Sequence, residues 1–349
     1  MSVADSLLMK AARREPTPRP PVWLMRQAGR YLPEYRQIRR QTGFLELCKN
    51  ADLAAEVMLA TVERLKVDAA ILFSDLLVIL EPMGLELEYT AGEGPVLHNP
   101  IRAASEADRL AELDDLAPLE FVFEAVRKTR AGLNPDLPLI GFAGAPFTLA
   151  AYAIEGGASR DYRHTKSLMF SDGGAWAAIM ERLARAVTRF LRAQIEAGAQ
   201  AVQLFDSWAG CLHPDDYRRY VLPHSRAVIE ALPEGVPVIH FATGNPALVP
   251  LLAEATGARR EEAVIGVDWR VRLDDAWSAI GHDMAIQGNL DPTVLFASRQ
   301  EVRRRTLEVL SQAAGRPGHI FNLGHGVLPG TPVENVLELI ETVKNASIA

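Results

Sequence analysis

Short apolar segments alternate with helical patterns through most of the chain. Each apolar segment is rich in β-branched or other hydrophobic residues and is followed by a loop containing Gly, Pro or Asp and then by a helical pattern. The apolar segments predict eight strands, at residues 22–25, 69–74, 137–143, 199–205, 236–241, 263–267, 284–287 and 319–323. The patterns between them predict helices that include residues 52–66, 174–196, 214–232, 299–314 and 333–344, with Asp52 as an N-cap and Pro214 in a first helical turn.

Strands that alternate with helices predict a parallel sheet, because parallel neighbours need crossover connections. For eight strands the economical topology is α/β with the sheet closed into a single (β/α)8 TIM barrel, and a doubly wound open sheet is the alternative. Residues 86–89 and 95–98 predict a hairpin inserted after the second unit. We expect one domain over residues 1–349, with residues 1–18 as a poorly ordered or helical N-terminal extension.

Composition and charge narrow the class of protein further. The 349 residues are 48% hydrophobic and 23% charged, which is typical of a globular protein and excludes disordered, collagen-like and coiled-coil classes. The longest strongly apolar run, residues 76–80, is too short to span a membrane, and a net charge of −7 argues against a nucleic-acid or polybasic membrane surface.

The two cysteines, Cys48 and Cys211, cannot form a disulfide framework or a cysteine-rich zinc site. The polar residues 1–19 contain no apolar signal-peptide core. Both features predict a cytoplasmic protein.

Polar residues recur directly after the predicted strands. In a (β/α)8 barrel the active site lies at the carboxyl ends of the strands, so repeated polar strand ends predict a polar ligand with many contacts. The polar or catalytically suggestive residues at these ends include Arg26, Gln27, Arg30, Ser74, Asp75, Asp206, Ser207, His240, Thr243, Asp268, Asn289, Asp291, Asn322 and His325.

Two permanently charged guanidinium groups, Arg26 and Arg30, follow the first predicted strand. Gly29 and Pro33 favour a loop here, although a helix would place both arginines on one face. In either case the pair suits a ligand with several carboxylates, and structural ion pairs are the alternative.

The glycine-rich residues 324–330 do not predict a dinucleotide site, because the third glycine comes one position late and Pro329 interrupts the pattern.

Residues 25–35, Met-Arg-Gln-Ala-Gly-Arg-Tyr-Leu-Pro-Glu-Tyr, resemble the N-terminal signature of the uroporphyrinogen decarboxylase family. Further segments resemble blocks of that family in the same order, and the resemblance covers essentially the whole chain. These segments are Phe-Ser-Asp-Leu-Leu at 73–77, Gly-Phe-Ala-Gly-Ala-Pro-Phe-Thr at 141–148, Phe-Asp-Ser-Trp-Ala-Gly at 205–210, Gln-Gly-Asn-Leu-Asp-Pro at 287–292 and Asn-Leu-Gly-His-Gly at 322–326.

The resemblance implies a single (β/α)8 barrel that forms a homodimer with facing clefts. It also implies conversion of the four acetate side chains of uroporphyrinogen III to methyl groups, giving coproporphyrinogen III and CO2 without a cofactor or metal. One segment departs from the family pattern: residues 258–262 are longer than usual. They precede the predicted strand 263–267, so we expect them to lie away from the site.

The resemblance also assigns roles to residues. Asp75 is implied to accept the pyrrole N–H groups and to stabilise the transition state, although its position alone equally suits a helix N-cap. Arg26 and Tyr152 are implied to be catalytic, and the proton donor stays open between Tyr152, His325 and a water held by Arg26. The implied substrate-binding residues are Arg26, Gln27, Ala28, Gly29, Arg30, Asp75, Tyr152, Ser207 and His325.

Three of these residues also have structural interpretations. Tyr152 could be a packed aromatic, Ser207 a cap and His325 a structural histidine.

Two other functions are weighed as well. A zinc-dependent, corrinoid-linked methyltransferase on the same barrel lacks a thiolate ligand, since His240 is followed by Phe and Ala242. A non-catalytic tetrapyrrole-binding protein has no reason to keep Asp75 and the arginine pair.

Overall fold

The computed structural model describes residues 2–90 and 94–346. Within these ranges the strands are β1 Ala70–Ile71, β2 Leu87–Thr90, β3 Gly94–Leu97, β4 Leu139–Gly144, β5 Ala201–Asp206, β6 Val238–Ala242, β7 Ala263–Gly266, β8 Ala285–Leu290 and β9 His319–Leu323. The α-helices are α1 Leu7–Ala12, α2 Pro33–Arg39, α3 Phe44–Lys49, α4 Ala51–Leu65, α5 Glu120–Gly132, α6 Pro146–Glu155, α7 Arg163–Ser171, α8 Gly173–Ala197, α9 Pro214–Tyr220, α10 Leu222–Glu230, α11 Val249–Glu254, α12 Leu273–Ile280, α13 Arg299–Ala313 and α14 Val333–Asn345.

Seven parallel strands form one sheet in the order β1-β4-β5-β6-β7-β8-β9. Strands β4, β6 and β9 are buried along their whole length, as expected when both faces of a parallel sheet are covered. Helical connections join successive strands of the sheet, which confirms the predicted α/β class and seven of the eight predicted strands.

The first predicted strand, residues 22–25, is reduced to a single parallel bridge between Val22 and Phe321. The N–H of Phe321 donates to the carbonyl of Pro21 at 2.9 Å, and the N–H of Asp68 donates to the carbonyl of Val22 at 2.8 Å. This segment therefore lies between β9 and the residues that lead into β1, although it does not form a regular strand there.

A separate hairpin, β2 and β3, projects from the connection between β1 and β4. Its strands are antiparallel, with Leu87 opposite Leu97 and Tyr89 opposite Pro95. This confirms the predicted hairpin, and residues 91–93 between the strands lie outside the described residues. The hairpin places Tyr89 beside the end of β1, which the sequence pattern does not reveal.

Two helix predictions are wrong in detail. The N-cap of α4 is Asn50 rather than Asp52: the Oδ1 atom of Asn50 accepts the backbone N–H groups of Asp52 and Leu53, both at 3.1 Å. The predicted helix 214–232 is divided into α9 and α10 at Val221. Pro223 explains this break, because proline has no N–H to donate and its ring crowds the preceding turn.

The N-terminal extension is helical at α1, where Leu8 and Ala11 are buried. One connected hydrophobic cluster runs from Leu8 to Val343. The segment before β7 forms a 3-10 helix, Gly257–Glu262, at the N-terminal end of that strand and so lies away from the carboxyl ends of the strands, as expected. No helix in the described ranges is both long and apolar enough to cross a bilayer.

Candidate active site

A cavity of about 410 Å³ opens where the loops after β5 to β9 meet. Ser207, Thr243, Arg270 and His325 line it, and each comes from the loop after a different strand. The loops at the carboxyl ends of the parallel strands therefore meet at a cavity whose lining includes polar side chains from several loops.

Asp75 follows β1 and uses both oxygens of its carboxyl group. Oδ1 accepts the backbone N–H of Leu77 at 2.8 Å, which is a local turn contact. Asp75 is not the helix N-cap that its position alone suggested, because the N-cap of the following 3-10 helix Val78–Leu80 is Leu77. Oδ2 accepts the hydroxyl of Tyr89, from the hairpin, at 2.5 Å. The turn contact therefore occupies one oxygen, and the second accepts a hydrogen bond from a side chain that sequence reasoning missed.

Burial raises the pKa of Asp75 above its ordinary value, while the Tyr89 hydroxyl, the backbone N–H groups of Leu77 and Leu76 and the charge of Arg26 lower it. Burial is the largest of these effects. The ionised carboxylate is consequently costly to hold here, and a ligand that offers further N–H donors would stabilise it.

Arg26 lies against the loop that follows β9. A Cβ atom on Gly326 would approach the Cδ of Arg26 to 2.4 Å, so the glycine makes room for this arginine. The backbone of Arg26 is left-handed, with φ 57°, which few non-glycine residues adopt. Arg26 is exposed, as is Arg30 four residues later.

The loop between the two arginines contains one residue that the fold uses for itself. Gln27 is fully buried: its Oε1 accepts the N–H of Leu24 at 3.1 Å, and its Nε2 donates to the carbonyl of Ala69 at 3.2 Å. Ala28 and Gly29 are half-buried, and among the described residues no acceptor pairs with the backbone N–H groups of Ala28, Gly29 and Arg30. These three amides are therefore available to a carboxylate, whereas the side chain of Gln27 is not.

Three aromatic rings form a wall beside the cavity. Tyr152, in α6, stacks on Trp208 with ring centroids 3.7 Å apart, and Tyr162 meets the same indole edge-on at 5.2 Å. The N–H of Trp208 donates to the hydroxyl of Thr148 at 3.3 Å, and that hydroxyl donates to the buried Asp206 at 2.9 Å. Trp208 belongs to a segment recognised from the sequence, but its role as the support of Tyr152 was missed.

His325 has a defined orientation and protonation state. Its Nδ1 accepts the backbone N–H of Gly326 at 2.8 Å, which leaves the proton of the neutral ring on Nε2. Burial lowers the pKa of His325 to about 4, and the charges of Arg26 and Arg270 add to this effect. At pH 7 the ring is neutral and offers an N–H donor.

The structure brings the predicted residues to one end of the sheet but does not place all of them in one cavity. Ser207 and His325 line the cavity, whereas Arg26, Asp75 and Tyr152 lie outside its lining. Tyr152 links the two groups, because it stacks on the cavity residue Trp208 and the charges of both Asp75 and Arg26 act on the pKa of its hydroxyl.

The residues considered for zinc do not form a centre in the described part of the chain. His240 is fully buried with its Nδ1 3.3 Å from the carbonyl of Leu252. No group of three or more His, Cys, Asp or Glu side chains within residues 2–90 and 94–346 is arranged to hold a metal ion.

Comparison with solved structures defines the class of fold. A methyltransferase from Methanosarcina mazei superposes with a TM-score of 0.79 at 20% identity, covering 97% of this chain and 98% of that chain. A putative vitamin-B12-independent methionine synthase from Listeria monocytogenes gives a TM-score of 0.58 at 12% identity, covering 94% and 96%. The chain therefore has the α/β fold of these proteins; at such identities the likeness extends to the fold alone.

Sequence comparison identifies the family. The uroporphyrinogen decarboxylase (URO-D) family model matches residues 4–346. The uroporphyrinogen decarboxylase of Roseiflexus sp. (strain RS-1) is 51% identical over 351 residues, covering 99% of both chains, and that of Sorangium cellulosum is 52% identical over 344 residues, covering 97% of both. The chain belongs to the uroporphyrinogen decarboxylase family.

Proposed function

We propose that this protein removes CO2 from the four acetate side chains of uroporphyrinogen III and so produces coproporphyrinogen III. Family membership along the whole chain supports this reaction. The observation that carries the chemistry is the carboxylate of Asp75, held by Tyr89 and by the N–H of Leu77 at the carboxyl end of β1.

The reaction needs a stabilised cation rather than an external electron sink. Protonation of the pyrrole carbon next to the acetate-bearing carbon gives a cation, and the C–CO2 bond breaks with its electron pair moving into that cation. A proton then adds to the exocyclic methylene carbon to form the methyl group, and the ring carbon loses the proton it had gained, which restores the pyrrole. The pyrrole accepts the electrons of the breaking bond, so no cofactor is needed for this step. A fixed anion beneath the pyrrole nitrogens lowers the free energy of the cation, and we assign this role to Asp75.

Arg26 and Arg30, together with the amides of residues 28–30, provide the donors for the carboxylate arms. Ser207 and the Nε2–H of His325 add two neutral donors on the cavity side, and Tyr152 packs against the macrocycle. Because His325 is neutral at pH 7, it is a poor source of the first proton. We therefore propose a water held by Arg26 as the proton donor, with Tyr152 orienting the reacting ring.

Four features of the whole protein are part of the same proposal. We infer that the segment at residues 22–25 completes an eight-stranded barrel between β9 and β1, a closure supported by the Val22–Phe321 bridge. We also infer that residues 1–349 form one domain, which the continuous hydrophobic cluster supports. A homodimer and a cytoplasmic location complete the proposal.

Anaerobic incubation of the purified protein with uroporphyrinogen III and a metal chelator tests the reaction. We expect stepwise loss of carboxyl groups, counted by chromatography of the oxidised products. A wild-type protein that binds the substrate and releases no CO2 would be a tetrapyrrole-binding protein, and activity that disappears with chelator would indicate the zinc-dependent alternative.

Asp75→Asn tests the assignment of the anion. Removing one preorganised charged group typically costs about 10²–10³ in rate, so we expect at least a tenfold fall in kcat. Asp283→Asn is a matched control, since Asp283 is an exposed acid paired with Arg260 close to the 3-10 helix Gly257–Glu262. Near-normal turnover of Asp75→Asn would remove Asp75 from the mechanism.

A further inference from the structure

Arg270 is a cation of the cavity wall that none of the sequence motifs included. It lies two residues after Asp268, in the loop that follows β7, and its side chain is 43% exposed. Its hydrogen bonds from the side chain to described residues all use Nη1, which contacts Asp268 at 2.5 Å and the hydroxyl of Thr243 at 3.2 Å. The Nη2 and Nε donors are therefore free to bind a ligand.

The guanidinium group is held in place from two sides. Its carbon atom lies 4.2 Å from the centroid of the Trp269 ring. On the other side is Asp268, whose carboxylate is buried and also accepts the hydroxyl of Thr243 and the N–H of Gly244, both at 2.7 Å. An arginine fixed by an aromatic ring and a buried carboxylate loses little side-chain entropy when it binds an anion.

The backbone of this loop is fixed as well. The side-chain amide of Asn289, at the end of β8, donates to the carbonyl of Asp268 at 2.8 Å and to that of Val271 at 2.7 Å. Gly324 permits close packing from the β9 side, since a Cβ there would come within 2.5 Å of the N atom of Trp269. Neighbouring loops thus hold the residues on both sides of Arg270.

Building on the proposed function, we infer that Arg270 binds a propionate carboxylate of the macrocycle at a subsite separate from Arg26 and Arg30. The cavity that Arg270 lines includes Ser207 and His325, which add neutral donors, but neither Asp75 nor Arg26. An arm held there lies away from the residues assigned to the reacting ring. Propionates remain through all four decarboxylations, so this subsite can hold the substrate and every later intermediate.

Another charged group on this wall limits what the subsite accepts. Asp291 also lines the cavity, and its Oδ1 accepts the N–H and the hydroxyl of Thr293 at 2.8 and 2.7 Å. Its carboxylate repels a second anionic arm. Asp268 pairs with one edge of Arg270 and Asp291 opposes a second anion, so the free Nη2 and Nε donors of Arg270 favour a single arm in this cavity.

The test compares Arg270→Gln and Arg270→Lys with Arg272→Gln. Arg272 lies two residues further along, is 62% exposed and pairs with Asp274, so its loss removes the same charge from outside the cavity lining. A hydrogen bond to a charged group contributes about 1.5–3 kcal/mol, so we expect Arg270→Gln to raise KM for uroporphyrinogen about 10–100-fold with little change in kcat. Arg270→Lys, which keeps the charge without the two-pronged geometry, is expected to fall between.

Binding of coproporphyrinogen separates the two kinds of arm, because this product retains propionates and has no acetates. Quenching of tryptophan fluorescence under anaerobic conditions reports its binding, with Trp208 and Trp269 in the cavity as probes. We expect Kd to rise in Arg270→Gln by the same factor as KM. An unchanged Kd, or a KM equal to that of Arg272→Gln, would overturn the inference.

Two controls keep the result interpretable. Thermal unfolding checks that the variants are folded, and Arg270→Lys preserves the charge beside Asp268 if Arg270→Gln does not fold. Failure of the proposed function itself would be visible as a wild-type protein without turnover. The fluorescence titration does not depend on turnover and would still decide whether Arg270 holds the arm.

Discussion

Asp75 combines a local structural contact with an unfavourable electrostatic position. The turn contact to Leu77 needs only an oxygen acceptor, which a neutral side chain also supplies. The ionised state is needed for the proposed reaction, and burial opposes it. Under the proposed function, the chain keeps an acid whose ionised form lowers its stability until the substrate provides N–H donors for it.

This conflict predicts that Asp75→Asn stabilises the protein at neutral pH. Because the pKa of Asp75 is raised in the folded state, its ionisation lowers the free energy of unfolding once the pH exceeds the ordinary aspartate value. The cost is absent at about pH 3 and increases until the pH passes the folded-state pKa. We expect the variant's advantage over wild type, measured by urea unfolding, to be larger at pH 7 than at pH 3.

Replacing the carboxyl by an amide can itself change the free energy of unfolding, but this effect is the same at pH 3 and pH 7. The difference between the variant's advantage at the two pH values therefore reports only the ionisation of Asp75. An advantage that stays constant from pH 3 to pH 7 would show that the carboxyl has no raised pKa. Such a result would contradict the electrostatic account of Asp75 while leaving its kinetic role to the turnover assay.

The 3-10 helix Gly257–Glu262 contains a buried arginine at the end of the sheet away from the cavity. The guanidinium of Arg259 donates to the carbonyls of Leu232, Pro233 and Val236, at 2.6, 3.0 and 3.0 Å. These carbonyls belong to the segment that leads into β6, and they would lose their partner if the arginine were removed. The 3-10 helix therefore connects the start of β7 to the segment that leads into β6.

We expect Arg259→Ala to lower the free energy of unfolding by about 2–4 kcal/mol, because it leaves one buried carbonyl, of Leu232, and two partly buried ones without donors. Turnover per folded molecule should be unchanged. Arg260→Ala is the matched neighbour: its salt bridge to Asp283 is largely exposed, so the expected cost is about 1 kcal/mol or less. Equal losses for the two variants, measured by urea unfolding, would contradict this assignment.

The strands were predictable because hydrophobic periodicity and polar strand ends are local signals. The predicted segment 319–323 coincides with β9, and 137–143 differs from β4 by two residues at its start and one at its end. The segment at 22–25 was predicted from the same apolar pattern, yet the structure gives it only one bridge. Pairing partners depend on tertiary position, which an apolar pattern does not encode.

The candidate site was predictable only in part, for the same reason. Asp75, Ser207 and His325 follow strands and could be found by position. Tyr89 could not, because its contact with Asp75 depends on how a hairpin folds back across fourteen residues of sequence. Arg270 carried a usable signal, since it follows Asp268 at a strand end, but a single arginine has no distinctive spacing.

Buried histidines give the whole molecule a characteristic response to acid. Burial lowers the pKa of His240, His319 and His325 to about 4, so each binds its proton more readily in the unfolded chain. Their contribution to stability is complete above about pH 6.5 and is lost as the pH falls towards 4. Asp206, whose pKa burial raises to about 7, acts in the opposite direction over part of this range.

We expect the free energy of unfolding of His319→Gln to depend less steeply on pH than that of wild type between pH 4.5 and 6. Each such histidine contributes about 1.4 kcal/mol per pH unit, which is the expected reduction in slope. His213→Gln replaces a side chain that is 68% exposed and is the control. Urea unfolding at several pH values gives the slopes, and an unchanged slope for His319→Gln would contradict the assignment.

The contact between Arg26 and Gly326 joins parts of the sequence that are about three hundred positions apart. Synthesis on the ribosome delivers Arg26 about three hundred residues before Gly326, which emerges after every strand of the sheet. The units in between can pack as they emerge, but this arginine has no wall to lie against until β9 is in place. Binding capacity at that corner thus arises only after β9 and the loop that follows it have been synthesised.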